Sequence, residues 1–215
     1  MRLLTPLEAR VLGVLIEKQA AVPDTYPLSL NALVAGCNQK TARDPVMNAA
    51  DAEVLAAIDG LKLLSLVFEG SGSRVVKFEH NLGRVLGLPS QSVALLAVLM
   101  LRGPQTAAEL RLNCERLHRF ADISSVEGFL DELAAKDVPR VVKLARAPGE
   151  REARWAHLLC GEVQQSAVHD GVQQGVSAGE WVALKAEQTR LALRVEALEA
   201  QLQRLQHDLG LNSSE

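Results

Sequence analysis

Aromatic residues are scarce in this 215-residue sequence: two Trp, one Tyr and four Phe, 3% of the chain. A platform that stacks single-stranded bases needs exposed rings in series, and so few rings argue against one. An excess of basic charge is also missing. Lys and Arg number 23 against 26 Asp and Glu, a net charge of −3. A polyanion binder charged over its whole surface does not fit that balance. Cysteine is rare, and the three present, Cys37, Cys114 and Cys160, include no CxxC pair. An odd, unpatterned set predicts reduced thiols and a cytoplasmic location, not a disulfide framework. Long apolar runs are absent: the longest, Val93 to Leu101, is half of a membrane span and reads as a buried helix. The opening MRLLTPLEAR has no basic run followed by an apolar stretch and a cleavage site, so no secretory signal and no membrane partner are expected.

What is present is an ordinary globular balance, 48% hydrophobic and 23% charged. Helix starts are well marked. Thr5-Pro6-Leu7-Glu8 is a capping box with Pro at the first helical position. Thr106 with Glu109 and Ser124 with Glu127 are two more, and Asn48 with Asp51 is a weaker form. Arg102-Gly103-Pro104 supplies a stop. These signs predict helices near 5–19, 30–37, 50–63, 91–102, 107–117 and 125–136. Residues 66–78 and 141–155 are β-rich, are broken by Gly or Pro-Gly, and read as hairpins.

Three helices and a hairpin therefore occur twice. Val54, Ile58 and Leu61 map onto Val126, Leu130 and Leu133 at an offset of 72; Leu33 and Cys37 map onto Leu110 and Cys114 at 77. The expected fold is mainly α with small β-hairpin wings: two winged-helix domains in tandem, a variant of helix-turn-helix, over 1–85 and 86–160. A Gln-, Gly- and Ser-rich linker is expected over 161–179 and a coiled-coil helix over 180–210. There Trp181, Leu184, Gln188, Leu191, Val195, Leu198, Leu202, Leu205 and Leu209 alternate spacings of 3 and 4. Leu at every d position with one polar a residue favours a parallel two-stranded coil, with Arg194 facing Glu199 of a second copy, hence a homodimer. The alternative is a helix that packs back on its own domains.

Several long segments carry a family resemblance: LTPLEARVLGVLIEK (4–18), YPLSLNAL (26–33), CNQKTARDPVM (37–47), LRGPQT (101–106) and PGEREARW (148–155). Over residues 3–161 the chain resembles the YceH-like family of bacterial proteins. The resemblance implies a tandem winged-helix fold. It brings no catalytic residue and no cofactor, and it does not reach the heptad region.

A winged helix binds DNA with its third helix in the major groove and its wing on neighbouring backbone. Here the third helices are acidic: Asp51, Glu53 and Asp59 in the first half, Glu127, Asp131 and Glu132 in the second. Candidate phosphate contacts lie elsewhere. Lys40 and Arg43 precede the first third helix, and Arg116 and Arg119 the second. Arg74 and Lys77 sit on the first wing; Arg140, Lys143, Arg146, Arg151 and Arg154 sit on the second. Double-stranded DNA is one expected partner, in a regulatory, transcription-associated role. The alternative is a protein-docking scaffold without DNA contact. Cys114 and His118 have metal-ligand spacing, but two ligands do not make a site. Neither metal nor cofactor nor enzymatic activity is expected.

Overall fold

The first helix, α1 (Pro6–Ala21), begins where its capping chemistry dictates. The Glu8 backbone N–H donates to the Thr5 hydroxyl at 3.2 Å, and the Thr5 N–H donates to the Glu8 carboxylate at 2.8 Å. Helix α1 has no solvent face through its middle. Residues 8–16 are all buried, because α2 (Leu30–Cys37) and α3 (Asp51–Leu63) cover it on one side and α5 (Ser90–Arg102) on another. Helix α5 is the apolar run of the sequence, buried from Ser92 to Leu101, and it stops at Gly103, whose φ is +72°. The computed structural model describes residues 2–70, 75–146, 149–163 and 194. Residues 1–163 form one compact unit. The expected linker from residue 164 on and the heptad residues Leu184, Gln188, Leu191, Val195, Leu198, Leu202 and Leu205 lie outside the described residues.

The order of elements repeats. Helices α1, α2 and α3 are followed by β2 (Val67–Gly70) and β3 (Lys77–His80); α5, α6 (Ala107–Asn113) and α7 (Ile123–Ala134) are followed by β4 (Val141–Lys143) and β5 (Trp155–His157). The expected repeat positions Val54, Ile58, Leu61, Val126, Leu130 and Leu133 are all 0% exposed, as are Leu33, Cys37, Leu110 and Cys114.

Both hairpins acquire an extra partner that has no signal in the sequence. A two-residue strand, β1 (Leu28–Ser29), pairs antiparallel with β3, Leu28 opposite Phe78. Gln105 makes the matching bridge to Trp155, with N–H to carbonyl distances of 3.0 and 2.7 Å. Leu28 to Gln105 and Phe78 to Trp155 are both offsets of 77, the offset that carries Leu33 onto Leu110. The repeat therefore extends to strand pairing as well as helix cores.

Other boundaries differ from expectation. Helix α7 is capped by Asp122, whose carboxylate accepts from the Ser125 N–H at 2.7 Å, instead of by Ser124. Helix α3 starts from Ala50, whose N–H donates to the Glu53 carboxylate at 2.7 Å, instead of from Asn48. Asn48 is displaced as a cap because the preceding loop is fixed elsewhere: Asn38 closes it by bonding both the N–H and the carbonyl of Ala49. Helix α6 ends at Asn113, short of 117, and continues as turns. A five-residue helix, α4 (Leu82–Leu86), is too short to show a period and ends at Gly87 with φ +59°.

Two close approaches set the helix packing. A Cβ on Gly36 of α2 would stand 2.6 Å from the Val14 side chain of α1. One on Gly13 of α1 would stand 3.0 Å from Leu101 of α5. The ends of the unit are joined: the Leu4 N–H donates to the Leu159 carbonyl at 2.8 Å. Among the described residues no helix is long and apolar enough to cross a membrane.

Candidate nucleic-acid interface

The loop between α2 and α3, residues 38–50, is held from below by two buried arginines of very different visibility in the sequence. Arg43 is 6% exposed. Its Nη1 and Nη2 donate to the two carboxylate oxygens of Glu17 at 3.1 and 2.6 Å, and its Nε donates to the Gly36 carbonyl at 3.0 Å. Burial pushes the Glu17 carboxyl up, but the hydrogen bonds and charge of Arg43 outweigh it and hold the group below its ordinary value. A guanidinium committed in this way cannot reach a phosphate, so Arg43 is a brace and not a contact. The second arginine, Arg10 of α1, is 1% exposed and donates to the Cys37 and Pro45 carbonyls at 3.0 and 2.7 Å. Burial, then the charge of Arg43, lowers its pKa. Arg10 and Glu17 went unnoticed in the sequence, although they stand seven apart on one face of α1 and reach the same loop. Above these braces Lys40 is exposed and, among the described residues, has no hydrogen bond or ion pair.

The remaining candidates fall into two sets. Arg116 and Arg119, in the turns that follow α6, are exposed and have no partner among the described residues. The same holds for Arg146 and Arg151 on the second hairpin, and for the half-buried Lys77 on β3. Arg74 lies outside the described residues. Arg154, by contrast, is tied down. Its Nη1 donates to Glu109 and to the Pro104 carbonyl, both at 3.2 Å, and its Nε donates to Glu150 at 3.2 Å. It clamps the base of the hairpin to the start of α6.

The carboxylates of the third helices reach solvent as well. Asp51, Glu53 and Asp59 are exposed on α3, and Asp131 and Glu132 on α7. Arg146 borders a cleft of about 370 Å³ that also takes in Lys143, Glu127 and Glu152, two cations against two anions. Lys143 extends over the Trp155 ring, 5.2 Å from its centroid. Apolar side chains also reach solvent beside the acids of α3: Leu63 is 88% exposed, Leu55 42% and Phe68, on the neighbouring β2, 43%.

Cys114 and His118, the spaced pair, have different partners. The Cys114 thiol is buried against the Ala94 carbonyl at 3.7 Å, and burial pushes its pKa up to about 12. His118 stands edge-on to Phe120, ring centroids 4.7 Å apart. Among the described residues no three His, Cys, Asp or Glu side chains gather as a metal would require.

Residues 4–150 match a family described as "Protein of unknown function, DUF480". The chain is 66% identical over 214 residues to a UPF0502 protein of Leptothrix cholodnii, covering 97% of this chain and 96% of that one. It is 66% identical over 216 residues to a UPF0502 protein of Burkholderia multivorans, covering 99% and 92%. A UPF0502 protein of Paraburkholderia phytofirmans is again 66% identical, over 217 residues, covering 100% and 93%.

Proposed function

The chain belongs to the DUF480 family, and from that premise we propose that it is a non-enzymatic, transcription-associated DNA-binding protein. In this reading residues 1–85 and 86–160 are tandem winged-helix domains, and a coiled coil over 180–210 makes a homodimer. One observation carries the DNA reading. Among the described residues, cations without a partner precede the third helix in both halves, Lys40 and then Arg116 and Arg119, and others stand on the hairpins, Lys77 on the first and Arg146 and Arg151 on the second, although Lys77 falls at the repeat position of the tied-down Arg154. Those are the parts of a winged helix that meet the DNA backbone. The acidic third helices argue that binding rests on phosphates and not on base edges, since a carboxylate in the major groove can only accept, finds few donors on the base edges and is repelled by phosphate.

The test is fluorescence anisotropy of a mixed-sequence duplex at salt concentrations from about 50 to 200 mM. Binding should weaken steeply across that range. Arg146→Glu with Arg151→Glu should abolish it and leave the circular dichroism spectrum unchanged; unchanged affinity would refute the hairpin assignment. A protein-docking role is the second reading, favoured by Leu55, Leu63 and Phe68 standing exposed among Asp51, Glu53 and Asp59. No duplex binding at the lowest salt removes the support for general DNA affinity and turns the test to protein partners.

A further inference from the structure

A second cleft, of about 350 Å³, opens where the two halves meet. Its apolar lining is Ile16 and the exposed Ala20 from α1, Val93 and Ala94 from α5, and Leu88 and Leu117. Its polar rim is formed by Gln19, His80, Arg84 and Ser90. The charge balance separates it from the cleft beside Arg146. Arg84 is the only ionic side chain among its described lining residues, which include no carboxylate. Arg84 is exposed and has no partner among the described residues. The rim histidine adds no charge. The Gln19 Oε1 and the His80 Nε2 are 2.6 Å apart, and burial pushes the His80 pKa down to about 4, so the ring is neutral near pH 7. Ser90 opens the thirteen-residue helix α5, which has no side-chain cap, so among the described residues its first-turn backbone N–H groups have no side-chain acceptor.

We propose that this cleft binds a small organic carboxylate: an apolar body against α1 and α5, and a carboxylate on Arg84 and the start of α5. The volume lies in the range of small-molecule sites, and an apolar wall with a few convergent polar groups is their usual composition. A single cation without a countercharge selects an anion over a zwitterion or a cation. The occupant touches both halves of the unit, so it ties them together, and this role does not depend on whether the protein binds DNA.

The probes are phenylacetate and its neutral isostere phenylacetamide, titrated into the full-length protein and followed by ¹H–¹⁵N correlation spectra. Phenylacetate should give saturable shifts at Gln19, Ala20, Gly83, Arg84 and Ser90 at millimolar concentration, and the amide should bind more weakly. Arg84→Gln should raise the phenylacetate Kd about tenfold, the loss of one charge-assisted contact, and remove the preference for acid over amide. Ala20→Phe, at an exposed position, fills the cleft and should abolish the shifts in a protein that remains folded. Three results would overturn the proposal: no saturation by phenylacetate, shifts confined to another surface, or equal binding of acid and amide in wild type and in Arg84→Gln.

Discussion

Arg43 and Glu17 show how a side chain chosen for its charge can be taken up by the fold. The guanidinium is enclosed, so removing its carboxylate leaves a buried charge without a partner. Glu17→Ala should cost about 3 kcal/mol in urea unfolding, and pairing it with Arg43→Met should cost less than the sum of the two single changes. A surface ion pair would give a few tenths and simple additivity. In the sequence Arg43 and Arg154 stand as cations in basic loops, and Arg43 has Asp44 beside it as a local pairing candidate, yet the carboxylate it takes is Glu17. The carboxylates that hold them across the fold, Glu17 and Glu109, lie 26 and 45 positions away, and those pairings exist only after α1 meets the loop and α6 meets the hairpin; Glu150, four positions from Arg154, adds a local partner. Histidines add a pH dependence. Burial pushes both His80 and His157 down to about 4. In the unfolded chain each titrates near 6.5. Between those values the unfolded state binds more protons than the native one. Their contribution is complete above about pH 6.5 and is lost as pH falls toward about 4, on the order of 2 kcal/mol or more for the pair. The melting temperature should therefore drop between about pH 7 and pH 5, and His80→Gln should remove part of that slope.

Among the elements, the long helices and hairpins were legible because each carried its own signal. Thr5 and Thr106 box their helices, Gly103 stops α5, and a solid apolar run makes α5 a buried rod. What was not legible is short or relational. Two-residue β1 and five-residue α4 have no period to read. At α7, two adequate capping residues, Asp122 and Ser124, compete two positions apart, and Asp122 wins with a charged acceptor at the helix's positive end. Helix contacts depend on positions that sequence patterning treats as neutral. Gly36 lets α2 reach Val14 of α1, and a methyl group there has no room. Gly36→Ala should cost about 1–3 kcal/mol by overpacking, read as a lower urea midpoint with an unchanged m-value. The favourable helix propensity of Ala works in the opposite direction and is the smaller effect.

At the scale of the whole molecule, the tandem halves are joined through α1 against α5, and each half contributes a wall to the cleft at their meeting point. A relation between two copies of the chain was readable only as the heptad from Trp181 to Leu209. If that heptad pairs two chains, Leu191→Pro should convert a dimer to a monomer by light scattering and leave the thermal transition of residues 1–163 in place. A wild-type chain already monomeric at micromolar concentration refutes the pairing. The bond from Leu4 to Leu159 also bears on how the protein is made. A ribosome adds roughly 5–20 residues per second, so residue 4 emerges on the order of ten seconds before its partner exists. For the first part of that interval, until residues 90–102 have been made, the face of α1 that α5 will cover is bare. The amino-terminal half is thus born as a waiting surface, and its safe passage depends on how quickly translation delivers the rest.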